Sequence, residues 1–203
     1  MSGAMTGQKT YRPLRAEDFP PILFPEIFGN DGPVEVEIGC GKGKFLLARA
    51  QENPELNFLG LDYAGKWMRI GQTRGEKRDL RNLKFMKGEA GFLLGRLRPE
   101  SVAVFHIYFP DPWPKRRHQK RRLITAAFLE RLCGLLRRDG LVEIATDSLD
   151  YYEAIRAAVG ATRGLWAFVR ESPVRVAYET AKTSYEIKYE TQKRPLYYLE
   201  LKK

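Results

Sequence analysis

The chain reads as an α/β domain: a mostly parallel sheet with helices on both faces. Three observations predict this. Short apolar stretches alternate with longer helix-forming ones, the pattern of parallel strands joined by helical crossovers. A glycine-rich turn, Gly39-Cys40-Gly41-Lys42-Gly43, follows the first apolar stretch and opens the first helix. A later apolar stretch ends in three prolines within five positions, Pro110, Pro112 and Pro114. Turns at the carboxyl ends of strands are where open α/β sheets bind ligands.

The elements follow in order. Residues 34–38 form the first strand and 44–52 the helix after the glycine turn. Residues 57–62 form the second strand, followed by a helix over about 65–78. The third and fourth strands span 83–88 and 101–109, the latter stopped by Pro110 because proline has no N–H to give a ladder. A long helix is expected over about 121–138, ended by Asp139-Gly140. Residues 141–146 then form the fifth strand and 149–159 a helix. Two further strand candidates, 165–170 and 196–201, have no long apolar helix between them and suit an antiparallel hairpin at the sheet edge. Residues 173–194 carry no clear pattern. We expect a single domain over 33–203, preceded by a partly flexible segment, 1–32.

With 203 residues the chain can bury a sizeable core. Its 35 basic and 25 acidic residues give a formal charge of +10, which favours a polyanionic partner. Cys40 and Cys133 have no metal-ligand spacing, and the pair points to a reducing, cytoplasmic setting. No apolar run is long enough for a membrane span and none resembles a secretion leader, so neither membrane nor metal is expected. A monomer and a homodimer are equally compatible with the sequence.

In the glycine turn, Gly39, Gly41 and Gly43 allow a tight bend and close approach to a ligand. A dinucleotide fingerprint would need a small residue at the position of Lys44. The preceding acid, Glu37, is unlike a phosphate cradle. It suits a cationic ligand such as S-adenosylmethionine, with its sulfonium and ammonium groups. Asp62 ends the second strand, where a ribose hydroxyl pair is commonly held. Glu89, just after the third strand, is placed to meet an adenine edge.

The proline-rich turn carries Asp111 and Trp113, and six of the eight residues after Pro114 are Lys or Arg. Lys115, Arg116, Arg117, Lys120, Arg121 and Arg122, with His118 among them, read as contacts to RNA phosphates. Such a cluster at the start of a helix opposes the helix dipole, which favours a polyanion as its explanation. Trp113 is either a stacking platform or a packing residue. His106, inside the fourth strand, reads as a core histidine.

Taken together, Glu37-x-Gly39-x-Gly41-x-Gly43 and Pro110-Asp111-Pro112-Trp113-Pro114-Lys115-x-x-His118-x-Lys120-Arg121-Arg122 resemble the motifs of bacterial tRNA (guanine-N7)-methyltransferases. Ala145-Thr146-Asp147 and Thr183-Ser184-Tyr185-Glu186 agree with that family. The resemblance runs from about Val34 to the end. It implies a single-domain, Rossmann-like class I methyltransferase fold that uses S-adenosylmethionine and acts on tRNA. By position, Glu37, Asp62, Glu89 and Asp111 match the family's cofactor-contacting acids, and Asp111 its presumed catalytic residue. Lys115, Asp147, Thr183, Ser184, Tyr185 and Glu186 match substrate-contacting positions. The family often has Glu at the place of Asp62 and Asp at the place of Glu89, exchanges that keep the charge and change the reach.

Overall fold

The computed structural model describes residues 15–174 and 181–203. A short 3-10 turn, Ala16–Asp18, and helix α1 (Phe24–Phe28) precede strand β1 (Val34–Ile38). There follow α2 (Lys44–Glu52), β2 (Asn57–Asp62), α3 (Gly65–Glu76), β3 (Leu83–Lys87), α4 (Ala90–Leu94) and β4 (Val102–Tyr108). A 3-10 helix, Arg116–Arg121, leads to α5 (Ala126–Leu135), β5 (Leu136–Thr146), α6 (Leu149–Ala161), β6 (Phe168–Ser172), α7 (Ser184–Thr191) and β7 (Tyr197–Lys202). The strands form one sheet in the order β3-β2-β1-β4-β5-β7-β6. β1 to β5 pair in parallel, and β7 runs antiparallel to both β5 and β6. The strand order reverses at β1 and β4, so the ligand crevice of this topology opens at their carboxyl ends.

Three expectations change. The helix expected over 121–138 divides. Its basic start forms the 3-10 helix, and α5 begins only after Thr125, whose hydroxyl caps Phe128 N at 3.2 Å. Crowded like charges weaken an α-helix, and a capping threonine defines a new start. The basic run therefore does not sit on the N-terminus of a long helix. The C-terminal strands are antiparallel, as expected, but β7 lies inside the sheet, β6 takes the edge, and α7 separates them in the chain. Finally, Ile22 and Phe24 join the main core, and Ile22 N donates to Arg96 O at 2.7 Å. The packing thus extends N-terminally past residue 33.

Alternating side chains give the sheet two different faces. One face is apolar: Val34, Val36, Ile38, Phe105, Ile107, Val142, Ile144, Leu199 and Leu201 pack with Leu129 and Leu132 of α5 and Tyr151 and Ile155 of α6. The other face carries charge. Glu35 of β1, His106 of β4 and Glu143 of β5 are all buried there, beneath Arg49 of α2. Arg49 donates to Glu35 at 2.8 Å, and His106 Nε2 bonds the other Glu35 oxygen at 3.0 Å. His106 Nδ1 bonds Glu143 at 2.9 Å, and the Tyr108 hydroxyl donates to the same carboxylate at 2.7 Å. Burial opposes the charged imidazole, but hydrogen bonds and charge from Glu143 and Glu35 outweigh it and push the His106 pKa up to about 9. Burial likewise opposes the Glu35 carboxylate, yet His106 and Arg49 hold its pKa below the ordinary value. His106 is a core histidine, as the sequence implied, and a charged one.

His106→Leu leaves Glu35 and Glu143 without the cation between them. It should cost roughly 3–5 kcal/mol in urea unfolding at pH 7. A group with a raised folded pKa gives its full stabilisation below its unfolded value of 6.5 and loses it as pH rises through about 9. Unfolding free energy should thus decline across that window in the parent and not in His106→Leu; equal pH slopes in the two proteins would refute the charged assignment.

Candidate functional site

At the carboxyl end of β1 the glycine turn bends over a cavity of about 310 Å³. Gly39 and Gly41 have φ of 83° and 53°, a left-handed backbone that favours glycine. A Cβ added to either would meet no atom within 4 Å. Side chains there would enter the open space that a ligand needs. Gly43 differs. It too is left-handed, but a Cβ would lie 2.6 Å from the Phe85 ring, so this glycine serves packing between α2 and β3. The cavity is walled by Glu37, Cys40, Lys42, Phe45, Trp67 and Tyr108, and by Thr183, Ser184 and Tyr185 at the start of α7. Burial and the nearby Glu37 carboxylate push the Cys40 thiol pKa up, so this cysteine is no nucleophile.

The other two acids near the turn are engaged in backbone contacts. Asp62 accepts from Gly41 N at 2.8 Å and from Ala64 N at 2.7 Å, tying the glycine turn to the end of β2. Glu89 is the N-cap of α4, accepting from Gly91 N at 2.9 Å and Phe92 N at 2.7 Å. Each oxygen of these carboxylates still has a second lone pair, and Glu89 is exposed.

Beside the cavity, β4 runs into the proline turn. Phe109 and Trp113 bracket Asp111 with φ of 53° and 44°. Such non-glycine conformations cost on the order of 1 kcal/mol each and persist where surrounding contacts impose them. The Phe109 ring packs on Tyr185 and Tyr189 of α7, at 6.1 and 5.5 Å. Trp113 is held edge-on by His118 at 5.8 Å and covered by Arg121 at 5.0 Å. Asp111 is exposed and hydrogen-bonds no described residue. It does not line the glycine-turn cavity. Lys115, Arg116, Arg117, Lys120 and Arg121 are exposed, and His118 is half-buried. Arg122 departs from the expected set: its guanidinium turns inward onto Pro112 O and the Asp150 carboxylate.

The C-terminal motif also divides. Thr183 and Glu186 form a capping box at the start of α7: Glu186 N donates to Thr183 Oγ1 at 3.0 Å and Thr183 N to Glu186 at 2.8 Å. The second Glu186 oxygen accepts from the Tyr198 hydroxyl at 3.0 Å, and the residue is buried. The expected substrate contact of Glu186 gives way to a structural role, one that the spacing Thr-x-x-Glu itself signals. Ser184 and Tyr185 are exposed at the cavity. Asp147, at the end of β5, pairs with Arg194 at 2.5 Å. Sequence reasoning missed Trp67 and Tyr108. Trp67 is 42 % exposed and lies under Lys42 at 4.6 Å, a pairing across two elements that has no signature along the chain. A wider groove of about 910 Å³, lined among the described residues by Tyr152, Glu171, Lys182 and Arg194, holds neither the glycines nor Asp111.

Glu186→Ala removes a cap and the partner of a buried hydroxyl. It should lower the unfolding free energy by roughly 1–3 kcal/mol. Asp111→Ala, which removes an exposed side chain, should leave the urea midpoint within about 0.5 kcal/mol of the parent. The reverse ranking would assign the two acids the opposite roles.

The family described as "Putative methyltransferase" matches residues 31–199. A tRNA (guanine-N(7)-)-methyltransferase of Listeria monocytogenes is 34% identical over 93% of this chain and 93% of its own. That of Rubrobacter xylanophilus is 31% identical over 97% of this chain and 87% of its own. Among solved structures, the 16S rRNA methyltransferase KamB superposes with a TM-score of 0.64 at 18% identity, over 88% of this chain and 91% of that one, a shared fold. By identity over nearly its whole length, the chain belongs to the tRNA (guanine-N(7)-)-methyltransferase family.

Proposed function

We propose that this protein transfers a methyl group from S-adenosylmethionine to N7 of a guanosine in tRNA, with the Asp111 carboxylate as its catalytic residue. The observation that carries the reading is a juxtaposition in a chain of this family. A glycine-turn cavity with a buried acid adjoins a strained turn bearing an exposed acid, and an exposed basic segment follows. The residues fit the cofactor: its polar cation suits a wall containing Glu37, and the left-handed Gly39 and Gly41 leave the backbone open to it. When bound, S-adenosylmethionine supplies an electrophilic methyl on a sulfonium.

What remains for the protein is placement. Guanine N7 has an in-plane lone pair and no hydrogen, so no side chain must remove a proton before attack. This agrees with a site in which the one cysteine is held as an inert thiol. Placing the nitrogen in line with the methyl is then the main task, and good placement alone is worth several kcal/mol. Positive charge moves onto the purine as the bond forms. Asp111 is suited either to accept from the guanine N1 and N2 groups or to offset that charge. Glu37, Gly39 and Gly41 hold the cofactor, with Asp62 keeping the turn in shape and Glu89 at its outer edge. Lys115, Ser184, Tyr185 and Asp147 border the guanosine, and Thr183 supports them. Arg116, Arg117, Lys120 and Arg121, with His118, meet RNA phosphates.

Nucleoside mass spectrometry of unmodified tRNA incubated with enzyme and S-adenosylmethionine should show 7-methylguanosine; a different methylated nucleoside overturns the reading. Asp111→Ala should abolish most turnover with saturating tRNA, and near-parental turnover would make Asp111 a bystander. Replacing Arg117, Lys120 and Arg121 by Ala should weaken tRNA binding and reduce the slope of log affinity against log salt by roughly 0.7–0.9 per lost contact. Affinity for S-adenosylmethionine should not change; an unaltered salt slope would leave these cations a merely solvated surface.

A further inference from the structure

Arg122 closes the basic segment but does not share its exposure. Its side chain is 9 % exposed, whereas Lys120 and Arg121 lie open to solvent. Nε donates to Pro112 O at 2.9 Å, and a terminal nitrogen donates to the Asp150 carboxylate of α6. The guanidinium lies over the Tyr151 ring, 4.9 Å from its centre, and the Tyr151 hydroxyl in turn accepts from Ile124 N at 3.1 Å. Burial pushes the Tyr151 hydroxyl pKa up, with the nearby Arg122 charge opposing and the Asp111 charge adding to it.

The turn has few other ways to be held. Pro110, Pro112 and Pro114 have no N–H to donate. Among the described residues, the bond from Arg122 is the one hydrogen bond that residues 110–114 make. The Pro112 carbonyl belongs to the peptide that joins Pro112 to Trp113, so the bond from Arg122 fixes that peptide plane, and the proline ring, with its fixed φ, carries the constraint to the neighbouring Asp111. A lysine could not replace this contact. The planar fork of arginine serves a carbonyl, a carboxylate and an aromatic face together, whereas an ammonium is a point charge on a flexible stem.

We propose that Arg122 is a positioning residue for methyl transfer, acting through the Pro112 carbonyl on Asp111 rather than through contact with RNA. The proposal rests on the role given to Asp111 above. The test places Arg122→Lys and Arg122→Ala in both the parent and the Asp111→Ala backgrounds, with Asp150→Asn as a milder variant should either Arg122 variant fold poorly. In the parent background, kcat should fall by roughly tenfold to a hundredfold, as expected for misplacement of about 1 Å. KM for tRNA and the salt dependence of tRNA binding should stay unchanged. The lysine variant should not rescue kcat, and Asp150→Asn should lower it in the same sense. In the Asp111→Ala background the Arg122 substitutions should cost nothing further, because they act through a group already gone. Weaker tRNA binding with a flatter salt slope and parental kcat would make Arg122 a phosphate contact and overturn the proposal. Losses that multiply in the double variant would overturn it too. Parental turnover by Asp111→Ala alone would instead overturn the underlying role of Asp111, and that single variant distinguishes the two failures.

Discussion

A buried chain of alternating charges, Arg49, Glu35, His106 and Glu143, crosses the centre of this molecule and joins α2 to β1, β4 and β5. Burying ions is expensive, and the arrangement is tolerable because each charge faces an opposite one at hydrogen-bonding distance. Two cations and two anions leave the set neutral. The consequence is register. A one-residue slip of β1 or β4 would turn these groups onto the apolar face, where nothing could neutralise them. The same strands end at the ligand crevice, so the network fixes how β1 and β4 present their carboxyl ends. Tyr108 is the direct link, bonded to Glu143 at one end and lining the glycine-turn cavity as well.

The crevice itself is assembled from turns under constraint. Gly39 and Gly41 take left-handed conformations at little cost, and Asp62 pins Gly41 from behind. Phe109 and Trp113 adopt similar backbone angles without the freedom of glycine. Their rings are the means by which they are held, Phe109 by the tyrosines of α7 and Trp113 by His118 and Arg121. Asp111 stands between them with no protein partner, an arrangement suited to a group whose partner is substrate. By contrast, Asp62 and Glu89 accept from backbone N–H groups and Asp147 pairs with Arg194.

Residues within a single motif divide sharply between holding the fold and facing solvent. Within six positions of the basic segment, Arg117 faces solvent and Arg122 faces the interior. Within four positions of α7, Tyr185 is 53 % exposed and Glu186 is buried. The difference is decided by what the fold brings alongside: the amino end of α6 is remote from Arg122 in sequence, yet its first turn supplies Asp150 and Tyr151.

The strands over 34–38 and 57–62, the helix over 44–52 and the glycine turn were legible in the sequence because each is a local matter of period and punctuation. The proline turn was legible for the same reason, and its motif together with the glycine turn pointed to the family that the near-full-length relatives establish. Other features depended on the packing. The strand over 34–38 was expected, but not that β1 is buried throughout, nor that Glu35 is satisfied by Arg49 and His106 from distant segments. The break between the basic 3-10 helix and α5 turned on competition between charge repulsion and a capping threonine. The insertion of β7 beside β5 turned on long-range pairing. Sequence alone determined the fold class, the family and the positions of the glycine and proline turns, since these are written in contiguous residues. Only the tertiary structure decided which acids and arginines remain available to a ligand, because that depends on partners tens of residues away in the chain competing for the same oxygens and N–H groups.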